Sequence, residues 1–146
     1  LVPSWVMLYL LFRPDFTGVT AVTLLLAVPA VIFGFVINFL LGAVITCFAF
    51  WTTRIYAMSE FMYGFLILLG GTFVPLDLLP EFAQRIAQLL PFQLFLYFPI
   101  QLVLGRLAFN EILINFALQG VWFVLLALAF VWIWRAGVKR FSAVGA

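Results

Sequence analysis

GGTFVPLDLLPEFAQRIAQLLPF (residues 70–92) interrupts a chain that is otherwise almost entirely apolar. An uncharged run ends in two glycines, and three prolines, two acids and an arginine follow within a few turns of chain. From Leu79 onward, Leu79, Phe82, Ala83, Ile86, Leu89 and Leu90 recur at the i, i+3, i+4, i+7 spacing of one helical face. Glu81, Gln84, Arg85 and Gln88 take the opposite face. The pattern predicts about three turns of amphipathic helix, with Asp77 as N-cap, Pro80 in the first turn and Pro91 as terminator. Its apolar face is expected to support the piece that follows.

That piece, FQLFLYFPIQLVLG (residues 92–105), is uncharged and aromatic, with Pro99 in its middle. A span needs about 20 residues, so a stretch of this length suits a re-entrant or interfacial segment. A transmembrane helix kinked at Pro99 is the competing reading. It would carry the C-terminus to the side opposite residue 54 and split the basic residues between the two sides.

Composition decides the class. Charged residues make up 8% of the 146 and hydrophobic ones 68%, with a mean hydropathy of +1.30. A soluble domain needs roughly a quarter charged residues to cover its surface, so this chain belongs in a bilayer. Residues 21–51 and 112–134 are uncharged and long enough to cross. Pro29 and Gly34 could permit a bend in the first of them. A span over 56–74 follows the polar connector 52–60, and RPDFTGVT (13–20) is a turn between 21–51 and an apolar segment at 1–12. The chain opens inside that segment without Met or a basic region. It is unlike a signal peptide and is expected to be a fragment, 1–12 being the end of a span.

Orientation follows from Lys and Arg. Arg54, Arg135, Lys139 and Arg140 fall on one side of an alternating bundle, and Arg13, Arg85 and Arg106 on the other. The cluster at 135–146 sits at a helix end, where it counts most, so this tail is expected to be cytoplasmic and 75–111 extracytoplasmic. The fold expected is all-α: one polytopic transmembrane helical bundle over 1–146 with an extracytoplasmic amphipathic and re-entrant element.

Several function classes find no support. There is no histidine and one cysteine, Cys47, so no metal-ligand cluster and no internal disulfide is available. No carboxylate lies inside an uncharged run, and neither HExxH nor GxSxG occurs, which leaves an intramembrane enzyme without assignable groups. A net charge of +2 points to no nucleic acid.

FWTTR (50–54), the series from Pro75 to Arg106 (PLDLLP, LLPF, YFP, LGR) and the final WRAGVKRFSAVGA together resemble the ABC-2 type permeases, in particular a poorly characterised bacterial subgroup with six spans and a short basic tail. The resemblance covers nearly the whole chain and is most specific at Pro75–Arg106. It implies a permease subunit of an exporter in the bacterial inner membrane. Such a subunit pairs with a second permease, identical or related, and with cytoplasmic ATP-binding cassette subunits that hydrolyse ATP. On that mapping residues 1–12 end the third span, 21–51 hold the fourth, 56–74 the fifth and 112–134 the sixth. The first two spans, and the cytoplasmic loop that usually meets the ATPase, have no counterpart here. No cofactor is expected, and the phosphate-binding pattern G-x-x-x-x-G-K-[ST] is absent.

Candidate residues follow. Gly70, Gly71, Pro75, Asp77, Pro80, Pro91 and Pro99 form a candidate gate, the glycine pair serving either as a flexible end of the fifth span or as a close-packing point. Arg54 and Glu60 are either a solvated connector or the contact that transmits ATPase motion. Asn38 either lines a path or bonds a neighbouring helix; the other notable polar residues are Thr46 in the same span and Asn115 and Gln119 at the start of the last. Trp122 departs from the interfacial pattern of the other aromatics and suits packing in the bundle. The alternative function is an ion-coupled secondary transporter or a channel, a class that places ionisable groups within the membrane.

Overall fold

The computed structural model describes residues 18–52, 54–71 and 76–144, without the side chains of residue 77 and of those beyond 139. Pro75, the segment 1–12, most of the turn 13–20 and the last two residues of the tail lie outside the described residues. Every regular element described is helical.

Helix α1, Ala21–Cys47, starts where Thr20 and Thr23 cap each other: Thr23 N donates to Thr20 Oγ1 at 3.2 Å and Thr20 N to Thr23 Oγ1 at 2.9 Å. This reciprocal box satisfies two of the donors a helix start leaves orphaned. The helix runs on through Pro29 and tightens into a 3-10 turn at Phe48–Phe50. Helix α2, Ile55–Leu69, stops five residues before the expected end of its span at residue 74. Gly70 forms its C-cap, donating to Leu66 O at 2.9 Å, and Gly71 turns the chain out at φ +73°. A left-handed residue just past the last helical turn ends a helix, and glycine adopts it without steric penalty.

Helix α3, Glu81–Leu89, is the amphipathic element, with two differences from its sequence reading. Pro80, not Asp77, holds the N-cap position and makes no side-chain cap; Asp77 falls in a separate 3-10 turn, Leu76–Leu78. The extended conformation of Pro80 (φ −57°, ψ 148°) is what sets the boundary there. Second, Phe82, Ile86 and Leu89 are exposed, and the side turned inward presents the small Ala87, which is fully buried. The apolar face of α3 therefore looks away from the protein, as in a helix lying in a membrane interface, and does not support the next segment.

That next segment breaks into a 3-10 turn, Pro91–Leu94, and helix α4, Tyr97–Val103. Seven residues rise about 10 Å, far short of a bilayer. Pro99 sits in the first turn of α4, where its missing N–H removes no helical bond. Helix α5, Phe109–Val144, then runs for 36 residues. Residues 135–144 of the expected tail continue this helix, since Arg135–Val144 contains no breaker except Gly137, which packs against the Phe50 ring.

Helices α1 and α5 pack along each other, and the segment Pro91–Val103 is wedged against both. One core cluster joins Ala30 of α1 to Phe98 and Leu102, with Ile112 and Phe116 of α5 packed on it. Phe98 meets Phe116 edge to face at 5.3 Å. A second joins Ile37, Leu94 and Leu126. The long apolar helices bury only 22% and 11% of their spanning windows within the chain. The rest of that apolar surface faces outward, and lipid or further helices must cover it.

Candidate translocation site

Short helical pieces inside a membrane create a problem that long helices avoid. Each break leaves carbonyls without an intrahelical donor, and lipid offers none. Between residues 79 and 95 side chains supply the donors. Gln84 Nε2 donates to Leu79 O at 2.8 Å, and Gln93 Nε2 to Gln88 O at 2.9 Å. Trp122 Nε1 reaches across from α5 to Leu89 O at 2.9 Å. Gln119, 1% exposed, donates through Nε2 to Leu94 O at 3.2 Å and to Ala30 O at 2.8 Å. Both its partners are carbonyls, so the amide nitrogen must face them, and Oε1 is left buried without a hydrogen-bond partner among the described residues. Gln119 thus ties α5, α1 and the re-entrant segment at one point, and Trp122 packs in the bundle.

Gly34 of α1 stands beside that point. A Cβ there would lie 2.6 Å from Leu94 O and 3.1 Å from Phe95 Cα, so the backbone of the re-entrant segment occupies the place of a side chain. Close approach, not a bend, accounts for this glycine. At the other end of the candidate gate, a Cβ on Gly71 would meet the Tyr97 ring at 2.8 Å, and one on Gly70 would be 3.2 Å from Phe92 O. The glycine pair combines a helix cap with direct contact to the re-entrant segment. The structure brings Gly70, Gly71, Pro91 and Pro99 into one region, Pro91 and Pro99 both buried, and leaves Pro80 exposed.

Asn38 lies one turn beyond Gly34 on the same side of α1. It lines a cleft of about 310 Å³ with Gly42 and Thr46 of α1, Ser59 and Tyr63 of α2, and Phe95. A groove of about 400 Å³ towards Phe130 and Trp134 of α5 also reaches Asn38. Asn38 makes no interhelical hydrogen bond among the described residues, whereas Thr46 Oγ1 folds back on Gly42 O at 2.9 Å. Arg54 and Glu60 are both exposed, Arg54 at the N-cap of α2. Six positions apart, they point about 120° from each other around the helix axis, and no ion pair joins them among the described residues.

The polar residues on which the site depends most are ones the sequence reading did not assign. Gln93 and Gln101 sit inside a stretch read as uncharged and aromatic, yet both are buried. They line a polar cavity of about 410 Å³ between the re-entrant segment and the first half of α5. The available signal was their presence at all, since a glutamine in an apolar membrane segment needs a partner. The sequence matches the family model described as "ABC-2 family transporter protein" over residues 6–145, while no curated protein and no solved structure matches it.

Proposed function

Because that match spans nearly the whole chain, the protein belongs to the ABC-2 transporter family and is a permease component of an ABC transporter, and on that premise we propose that it forms half of the translocation path of an exporter. Its partners are a second permease subunit and cytoplasmic ABC ATPases, which perform the ATP hydrolysis. The assembly sits in a bacterial inner membrane with the basic end of α5 on the cytoplasmic side, in line with the Lys and Arg distribution. The observation that carries the reading is the Asn38 cleft. It offers a polar group inside an apolar wall, between a well-anchored helix and a weakly anchored one.

Alternating access needs a moving part and a part that responds. Helix α2 buries none of its residues within the chain, so it can shift against α1 at little cost in packing. Arg54 and Glu60, at its start, are placed to receive a push from an ATPase. At its other end Gly71 touches Tyr97, so displacement of α2 reaches the re-entrant segment, which acts as the outer gate. Two-state elements joined by direct contact are the physical basis of such coupling.

Co-expression with an ABC ATPase encoded beside it tests the reading. The two should copurify, and ATP hydrolysis and ATP-dependent substrate movement in inverted vesicles should both require this chain. Transport that persists without any ATPase and stops when the ion gradient is collapsed would instead establish the ion-coupled alternative. Asn38→Leu should slow ATP-driven transport by roughly two- to tenfold, the worth of one polar contact, with assembly unchanged.

A further inference from the structure

The polar cavity of about 410 Å³ is separate from the Asn38 cleft: it lies against α4 and α5, and no residue is common to the two linings. Its floor is organised. Gln93, 4% exposed, donates through Nε2 to Gln88 O at 2.9 Å and to Asn115 Oδ1 at 3.3 Å, and Asn115 Nδ2 donates to Glu111 O at 2.9 Å. The carboxamide of Gln101, 9% exposed, lines the cavity and takes no part in that chain. Arg106 and Glu111, both exposed, bring one charge of each sign to the same cavity. Glu111 accepts from Ala108 N through Oε2 at 2.7 Å, which caps α5 and holds the carboxylate in place.

The side of α5 that lines the cavity carries Glu111, Ile114, Asn115 and Leu118, at i, i+3, i+4 and i+7. Glu111 and Asn115 bring polar groups to it and Ile114 and Leu118 aliphatic ones, with Leu118 farthest along the helix from the charged end. Glu111 is also the last charged residue before the uncharged run that begins at Ile112, so it marks the boundary between water and hydrocarbon. A cavity at that depth opens among lipid headgroups, with its aliphatic end towards the acyl chains. Amide groups at the edge of hydrocarbon are costly unless matched; Gln93 and Asn115 match each other, which leaves the buried Gln101 carboxamide and the Arg106 guanidinium as the groups of this cavity that a ligand would match.

We propose that this cavity binds the headgroup of a phospholipid that carries a phosphate and a primary ammonium, the phosphoethanolamine class. The phosphate pairs with Arg106, the ammonium with Glu111, and the Gln101 carboxamide bonds the headgroup between them. The glycerol end and the first methylenes lie along Ile114 and Leu118. A purely anionic headgroup would satisfy Arg106 but meet Glu111. A quaternary ammonium would find a single ring, Tyr97, among the lining residues and not the aromatic cage it requires. The inference rests on the chain's place in a bilayer and not on coupling to an ATPase, so the two can fail separately.

The test uses the complete transporter in nanodiscs of phosphatidylethanolamine, phosphatidylglycerol or phosphatidylcholine, with thermal melting and native mass spectrometry as readouts. The wild type should melt several degrees higher, and retain lipid through delipidation, with phosphatidylethanolamine alone. Arg106→Gln and Gln101→Leu should each abolish that preference and leave melting in phosphatidylglycerol unchanged. Should Gln101→Leu fail to assemble, Arg106→Gln, at an exposed position, decides by itself. Added soluble phosphoethanolamine separates the sources: a stabilising shift assigns the site to the free zwitterion, and its absence alongside a lipid effect assigns it to the membrane lipid. Equal behaviour in all three lipids, with no shift from phosphoethanolamine, overturns the proposal, as does a preference that survives in both variants.

Discussion

Helix α2 and the re-entrant segment Pro91–Val103 are both uncharged over most of their length and rich in aromatic residues, yet the molecule uses them in opposite ways. In α2 no residue is buried; Tyr56, Phe61 and Tyr63 are largely exposed. In the re-entrant segment Leu94, Phe98 and Leu102 are at most 1% exposed and join both core clusters. Hydrophobicity does not separate them, because in a bilayer an apolar side chain is as comfortable against lipid as against protein. Two other things do. Gly34 lets the backbone of the re-entrant segment approach α1, and Gln119, Trp122 and Gln93 satisfy the carbonyls its breaks leave open. A continuous helix such as α2 needs neither.

Four substitutions probe that contrast, each read as a change in the stability of the purified transporter in detergent. Phe98→Ala removes a ring from the first core cluster and should cost about 3 kcal/mol, the largest effect. Gly34→Ala places a methyl against Leu94 O and Phe95 and should cost about 2 kcal/mol. Loss of Gln119-dependent order, seen as faster proteolysis between residues 79 and 95, should accompany it. Gly71→Ala forces a left-handed alanine against Tyr97, costing roughly 1–2 kcal/mol, and transport should fall further than stability if the contact also transmits motion. Phe61→Ala on α2 should change stability by less than about 0.5 kcal/mol. A cost for Phe61→Ala comparable to that for Phe98→Ala would break the comparison. It would mean that a partner subunit or further spans cover α2 in the assembly.

Much of the element order was legible beforehand because it rests on local signals. The uncharged runs 21–51 and 112–134 overlap α1 and α5, and Pro91 ends the amphipathic helix with Leu90 extended before it. The misplacements also have local causes. Asp77 is a good capping residue three positions too early, because Pro80 sets the start of α3. The end of α2 at Leu69 is dictated by a left-handed glycine, and a Gly-Gly pair in a sequence does not say whether it hinges, packs or caps. The candidate site was legible only in part. Asn38 stands out as a polar residue in an apolar run, but its cleft is made by Ser59, Tyr63 and Phe95 from two other elements.

By itself the sequence determined that this chain lives in a bilayer, where its long helices lie and that a short amphipathic piece and a shorter apolar one separate the last two of them. Those follow from composition, helical period and breakers, which act over a few residues. Only the tertiary structure decided that the apolar face of α3 turns outward and that residues 91–103 form the core. It also placed Gln93, Gln101 and Gln119 at the polar heart of the molecule. Gln93 and Gln119 find their acceptors 22 and 89 positions away in sequence, and residues 91–103 become core only by packing on α1 and α5, distances over which no local pattern carries information.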